Sequence, residues 1–356
     1  MLNKNRAARV RENMKKAGLT QLVVSSTESV YYLTGVYVKP MERLLALYLT
    51  DDGETRLFAN EIFGLESTPD LPVATHKDGE AATRDLAKAV RPGVLGIDKF
   101  LYSKFLIALM QARADVEPVL GSAPVDLARM CKDEAEREAM RHASRVNDKV
   151  MGEIQKMVRA GAVESELAAE VNRLYRENGG TAGPQLVCFG QNGADPHHGG
   201  DNTVIKPGDS VTFDIFAPVG RYWCDMTRTV FFKKAGEKQR KVYETVRRAN
   251  EAAEAKVKPG VLLSELDATA RSIIADAGYG PYFTHRLGHG CGLACHEPPD
   301  VSGASDIPLQ AGMVFSIEPG IYLPGEFGVR IEDLVLVTET GGEVLNQFPK
   351  DLEVID

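Results

Sequence analysis

The sequence predicts an α+β chain in two domains, and three observations predict it. The 356 residues exceed the length at which one hydrophobic core usually stops growing. The first 125 residues alternate short helical and strand patterns, as a small α/β unit does. From residue 126 onward, long helical patterns give way to strands, then helices, then strands again, an order that favours α+β over a doubly wound sheet. The boundary falls around Gly121-Ser-Ala-Pro124, giving domains 1–125 and 126–356.

The elements follow in order. Asn5 to Lys16 has helical periodicity and stops at Gly18, and Gln21-Leu-Val-Val-Ser25 is a short buried strand. Leu44 to Thr50 and Thr55 to Ala59 flank Asp51-Asp-Gly-Glu54, a hairpin signal. Glu80 to Val90 is helical up to Pro92-Gly93, Val94 to Ile97 is a strand, and Leu101 to Arg113 is a helix. Nothing in this part looks catalytic. Two helices follow, Asp133 to Arg159 and Glu164 to Asn178, the second ended by Gly179-Gly180. Strands then dominate to Lys238, two more helices run to Ala277, and strands return.

Composition narrows the function. Apolar residues make up 44% and charged residues 26%, ordinary values for a globular protein. The net charge of −8 argues against nucleic acid, which favours basic patches. No stretch is apolar enough to span a bilayer, and the charged N-terminus shows no signal peptide. The five cysteines are scattered and odd in number, which points to a reducing cytoplasmic setting.

Four acids stand inside apolar strands. Val211-Thr-Phe-Asp-Ile-Phe-Ala217 and Tyr222 to Phe232 flank Pro218-Val-Gly-Arg221. A fold about the Val219–Gly220 bond sets Asp214 directly opposite Asp225, with Cβ atoms about 4.5–5.5 Å apart. A second hairpin, Val314 to Tyr322 against Gly328 to Val337 with its turn at Gly325, sets Glu318 opposite Glu332 and puts Arg330 on the same face. Facing like charges destabilise a hairpin unless a cation reverses the sign of the interaction. The recurrence suggests a duplicated architecture.

Of seven histidines, His285, His289 and His296 fall in Thr284 to Glu297, and His197 and His198 in Ala194 to Gly200. His289 is bracketed by Gly288, Gly290 and Gly292, which let the backbone approach a ligand closely. One imidazole with four carboxylates suits two divalent cations, and oxygen-rich ligation favours Mn²⁺-like ions. Cys224, Cys291 and Cys295 flank these residues and read as small buried hydrophobes.

Together these motifs resemble the pita-bread metallopeptidases, in the Xaa-Pro aminopeptidase and prolidase branch. The resemblance covers the whole chain: a creatinase-like N-terminal domain containing Tyr31-Tyr-Leu-Thr-Gly35, then a catalytic domain. It implies metal ligands at Asp214, Asp225, His289, Glu318 and Glu332, filling every ligand position. It also implies active-site roles for His197, His285, His296 and Arg330, with Glu318 as the base as well. The expected reaction is hydrolysis of an Xaa-Pro bond, at a peptide N-terminus or in a dipeptide, by a hydroxide bridging two metal ions. Mn²⁺ is favoured, with Co²⁺, Fe²⁺ and Zn²⁺ as alternatives. The expected partners are a peptide with proline second and a second copy of the chain in a homodimer. One departure stands out: Phe216 occupies a position usually held by glycine. Competing readings are a metal-free creatinase-like hydrolase, a methionine aminopeptidase-like enzyme, a metal-dependent lyase or amidohydrolase on the same site, and a catalytically dead binding module.

Overall fold

A computed structural model describes all of residues 1–356, which divide into two compact units, Met1–Arg129 and Met130–Asp356. The first unit contains α1 (Lys4–Lys16), β1 (Gln21–Val24), α2 (Thr27–Thr34), β2 (Leu45–Thr50), β3 (Thr55–Asn60), β4 (Val73–His76), α3 (Arg84–Ala89), β5 (Gly93–Ile97), α4 (Ser103–Ala112), β6 (Val116–Leu120) and α5 (Ala123–Met130). Its six strands form one sheet in the order β4-β3-β2-β1-β5-β6, with parallel and antiparallel neighbours. Val23, Tyr48, Phe58, Leu86, Leu95 and Leu109 are buried in its core. The boundary placed after residue 125 falls inside α5.

Two helices differ from expectation. The helix placed over Glu80 to Val90 occupies only Arg84–Ala89. The helix Thr27–Thr34 was not anticipated among its aromatic and β-branched residues, although Ser26 caps its start by accepting from the Ser29 N–H and left-handed Gly35 ends it.

The second unit contains α6 (Glu134–Gln155), α7 (Glu164–Glu177), β7 (Leu186–Phe189), β8 (Ser210–Val219), β9 (Tyr222–Phe232), α8 (Glu237–Ala255), α9 (Leu263–Asp276), β10 (Gly288–Gly290), β11 (Glu297–Val301), β12 (Val314–Ile317), β13 (Gly320–Leu323), β14 (Phe327–Arg330), β15 (Asp333–Val337), β16 (Gly342–Val344) and β17 (Val354–Ile355). A capping box between Asp133 and Glu136 starts α6. One core packs residues of α6 and α7 with β7, β8 and β9, and another packs α8 and α9 with β11 to β15. Each half therefore repeats a helix pair against strands. The sheets run β17-β9-β8-β7 and β11-β10-β12-β15-β16, with β13-β14 as a separate ribbon. No helix is long and apolar enough to cross a membrane.

The first hairpin corrects the register read from the sequence. Val219 pairs with Tyr222, so the turn residues are Gly220 and Arg221, at φ 56° and 82°. Two positive φ values in a two-residue loop make a type I′ turn, whose twist matches the strands. Asp214 consequently lies opposite Thr227, and Asp225 opposite Phe216. Moving the turn by one residue shifts the register by two, so both acids stay on one face as diagonal neighbours.

The second hairpin keeps its expected register but interrupts it. Gly320 pairs with Arg330, and farther out Ile317 pairs with Asp333. Glu318 and Glu332 lie in the gap between these two ladders. Glu332 instead joins Thr227 by an isolated bridge, its N–H donating to the Thr227 carbonyl at 3.0 Å.

Candidate active site

A cavity of about 710 Å³ in the second unit is lined by Asp214, Asp225, His289, Glu318, Glu332, His197, His285, His296 and Arg330. Every site residue singled out in the sequence therefore faces the same space. Asp214 and Asp225 come from β8 and β9, His289 from β10, and Glu318 and Glu332 from the chain breaks flanking the second hairpin. Pro184, Leu186, Pro196, Phe216 and Trp223 form an apolar wall, with the Phe216 and Trp223 rings 6.3 Å apart.

The glycines around His289 make room for neighbouring backbone. A Cβ on Gly288 would stand 2.0 Å from the Ser316 carbonyl oxygen, and one on Gly290 2.4 Å from that of Pro298. Strand β10 is thus clamped between β11 and β12. His289 Nδ1 lies 3.2 Å from the Gly290 carbonyl, which can only accept, so Nδ1 carries the proton and Nε2 is free to ligate. That Nε2 lies 3.4 Å from Glu318 Oε1 and 3.8 Å from Asp225 Oδ2.

Arg330 ties the acids together. Its Nη2 donates to Asp214 Oδ2 at 2.6 Å, its Nη1 to the Tyr322 hydroxyl at 2.8 Å, and its Nε to Thr227 Oγ1 at 3.1 Å. Thr227 in turn donates to Glu332 Oε2 at 2.7 Å. Tyr322 passes its own proton toward His285 Nε2, 2.8 Å away, while His285 Nδ1 donates to the Arg286 carbonyl at 2.7 Å. These donors and acceptors form one consistently directed chain.

The sequence reading gives Thr227 and Tyr322 no role in the site. Thr227 lies two residues after Asp225, on the same face of β9, and Tyr322 alternates with Arg330's partner position on β13, so strand parity was the available signal. Cys295 also departs from expectation. Cys224 and Cys291 are buried, but Cys295 lines the cavity, and its thiol donates to Asp225 Oδ2 at 3.3 Å.

The electrostatics call for a cation. Burial, reinforced by Asp214 and Glu318, pushes the Asp225 carboxyl well above the carboxylate range. Burial with Asp225 and Glu318 does the same to Glu332. Burial raises Glu318 to about 7, with Arg330 opposing. Burial also drives His289 down to about 3 and His285 to about 4, so both imidazoles are neutral near pH 7. Asp225 Oδ1 is buried without a hydrogen-bond partner. Ligand atoms of Asp225, His289 and Glu332 lie within 4.8 Å of one another. Crowded acids, an orphaned carboxylate oxygen and a neutral imidazole nitrogen together fit a divalent metal ion.

The fold and site define a metal-dependent hydrolase. The chain belongs to metallopeptidase family M24, whose model matches residues 138–339, and residues 6–131 match the creatinase/prolidase N-terminal domain. It is 33% identical to the Xaa-Pro dipeptidase of Lactobacillus delbrueckii subsp. lactis, over 96% of each chain. A prolidase of Thermococcus sibiricus superposes with a TM-score of 0.93 at 33% identity, covering all of both chains. A dipeptidase of Pyrococcus horikoshii gives a TM-score of 0.92 at 34% identity, over 98% of this chain and 100% of that one. The protein is therefore a metallopeptidase that works with divalent metal ions.

Proposed function

We propose that the protein is an Xaa-Pro dipeptidase using two divalent ions, Mn²⁺ by preference. The observation that carries this reading is the meeting of the four acids and His289 in one cavity around an unpartnered Asp225 oxygen. Asp214, Asp225, His289, Glu318 and Glu332 would hold the metal. When bound, two such ions polarise the scissile carbonyl and lower the pKa of water.

The remaining roles belong to the side chains. Glu318 takes the proton of the attacking water. His197 and His296 donate hydrogen bonds to the developing oxyanion and deliver a proton to the proline nitrogen, which leaves as a secondary amine. Arg330 and His285, joined through Tyr322, hold Asp214 and the wall of the site in place. The apolar wall containing Phe216 and Trp223 gives the proline ring and a small first side chain a surface to pack on.

The family resemblance supports a homodimer, and an odd, scattered set of five cysteines suits a reducing cytoplasm. Peptide hydrolysis with added Mn²⁺ tests the reading: Ala-Pro should be cleaved and Ala-Pro-Ala spared. Cleavage of both would make the enzyme an aminopeptidase. Cleavage of neither would favour a different reaction on the same site.

A further inference from the structure

Glu164 never reaches the cavity, yet its side chain is fully buried. A buried carboxylate carries a large desolvation cost unless its oxygens are satisfied. Here they gather three segments of one loop. Oε1 accepts from the Phe189 N–H at the end of β7 and from Asn192 Nδ2 at 3.1 Å. Oε2 accepts from the same amide at 3.1 Å and from the Asp201 N–H at 3.0 Å. His198 Nε2, sealed from solvent without a hydrogen-bond partner, lies 3.4 Å from that second oxygen. The chain also passes so close that a Cβ on Gly200 would stand 3.2 Å from the Glu164 Cβ.

The loop so held carries His197. That side chain lines the cavity, but no hydrogen bond fixes its ring; only its backbone N–H is tied, to Asp195 Oδ1 at 3.0 Å. The orientation of His197 therefore depends on the loop, and the loop depends on Glu164. We propose that Glu164 is a positioning residue that sets His197 for the reaction. The inference rests on the role given to His197 above.

The chemistry requires a carboxylate rather than an amide. Each oxygen accepts from N–H donors, so glutamine would turn one acceptor into an NH₂ group facing donors. A displacement near 1 Å at a reacting group is enough to cost about a hundredfold in rate. The metal-binding acids lie on other elements and are untouched.

A double-mutant cycle on Ala-Pro hydrolysis with Mn²⁺ tests this. Glu164→Gln should lower kcat about tenfold or more, with KM and bound metal unchanged. In a His197→Ala background, Glu164→Gln should have almost no further effect. Asn192→Ala cuts the same tie and should behave likewise, which keeps the test available if Glu164→Gln does not fold. Losses that multiply in the double variant, or an unchanged kcat in the single one, would overturn the proposal while leaving the dipeptidase reading intact. A silent His197→Ala variant would overturn the proposal together with the role given to His197, while its Ala-Pro cleavage would leave the dipeptidase reading standing.

Discussion

Arg330 Nη2 lies 2.6 Å from Asp214 Oδ2, and the arginine is almost completely buried. The same guanidinium reaches Tyr322 and Thr227, so it is the cation that holds the acids together in the structure. Removing one partner of a buried pair costs about 3–5 kcal/mol because the other charge is left uncompensated. Arg330→Ala should destabilise the metal-free protein by about that amount in urea unfolding. The loss should shrink when Mn²⁺ is added, since the cation then compensates Asp214.

Glu318 gives metal binding a pH dependence with a definite sign. Its pKa stands at about 7, above the ordinary value of 4.5, because burial disfavours the charge. Metal binds the ionised form, so protons compete with it below pH 7. His289 does not compete there, because it is already neutral above about pH 3. Metal affinity should rise as pH goes from 6 to 8. Calorimetry at pH 7 in buffers of different ionisation enthalpy should register proton release on binding.

Thr227 accepts from Arg330 Nε at 3.1 Å and donates to Glu332 Oε2 at 2.7 Å. Thr227→Val keeps the shape and removes both hydrogen bonds. Partners of ligands typically contribute about 10- to 100-fold in metal affinity or activity. Titration of the chelated protein should show a loss in that range, with the fold unchanged by circular dichroism.

The turn at Gly220 and Arg221 makes a separate prediction. Gly220 has φ 56°, where a side chain costs about 1–2 kcal/mol. Gly220→Val should lower stability by about 1–2 kcal/mol and weaken metal binding, because the hairpin sets the spacing of Asp214 and Asp225. Thermal melting and metal titration of the same variant check the two effects.

Much of the site was legible because strand parity survives errors in register. The turn was placed one residue early, since glycine marks Gly220 while nothing marks Arg221 as a second left-handed residue. The pairing of Asp214 with Asp225 was therefore wrong, but their shared face was right. Gly325 marked the second turn correctly, and the pairs on either side of the two acids, Gly320 with Arg330 and Ile317 with Asp333, have the register read from it. That both acids sit in breaks of the ladder was not legible, because the breaks arise where Glu332 bridges across to Thr227 from a different sheet. Tyr322 and Cys295 were missed for a similar reason. Each acts through a contact distant in sequence, Tyr322 with His285 and Cys295 with Asp225.

Elemental analysis of the protein, dialysed after loading with Mn²⁺ and compared with Asp225→Ala, tests the central claim most directly. Two ions per chain in the wild type and at most one in the variant is the predicted result. Full Ala-Pro hydrolysis by protein that carries no stoichiometric metal would contradict it.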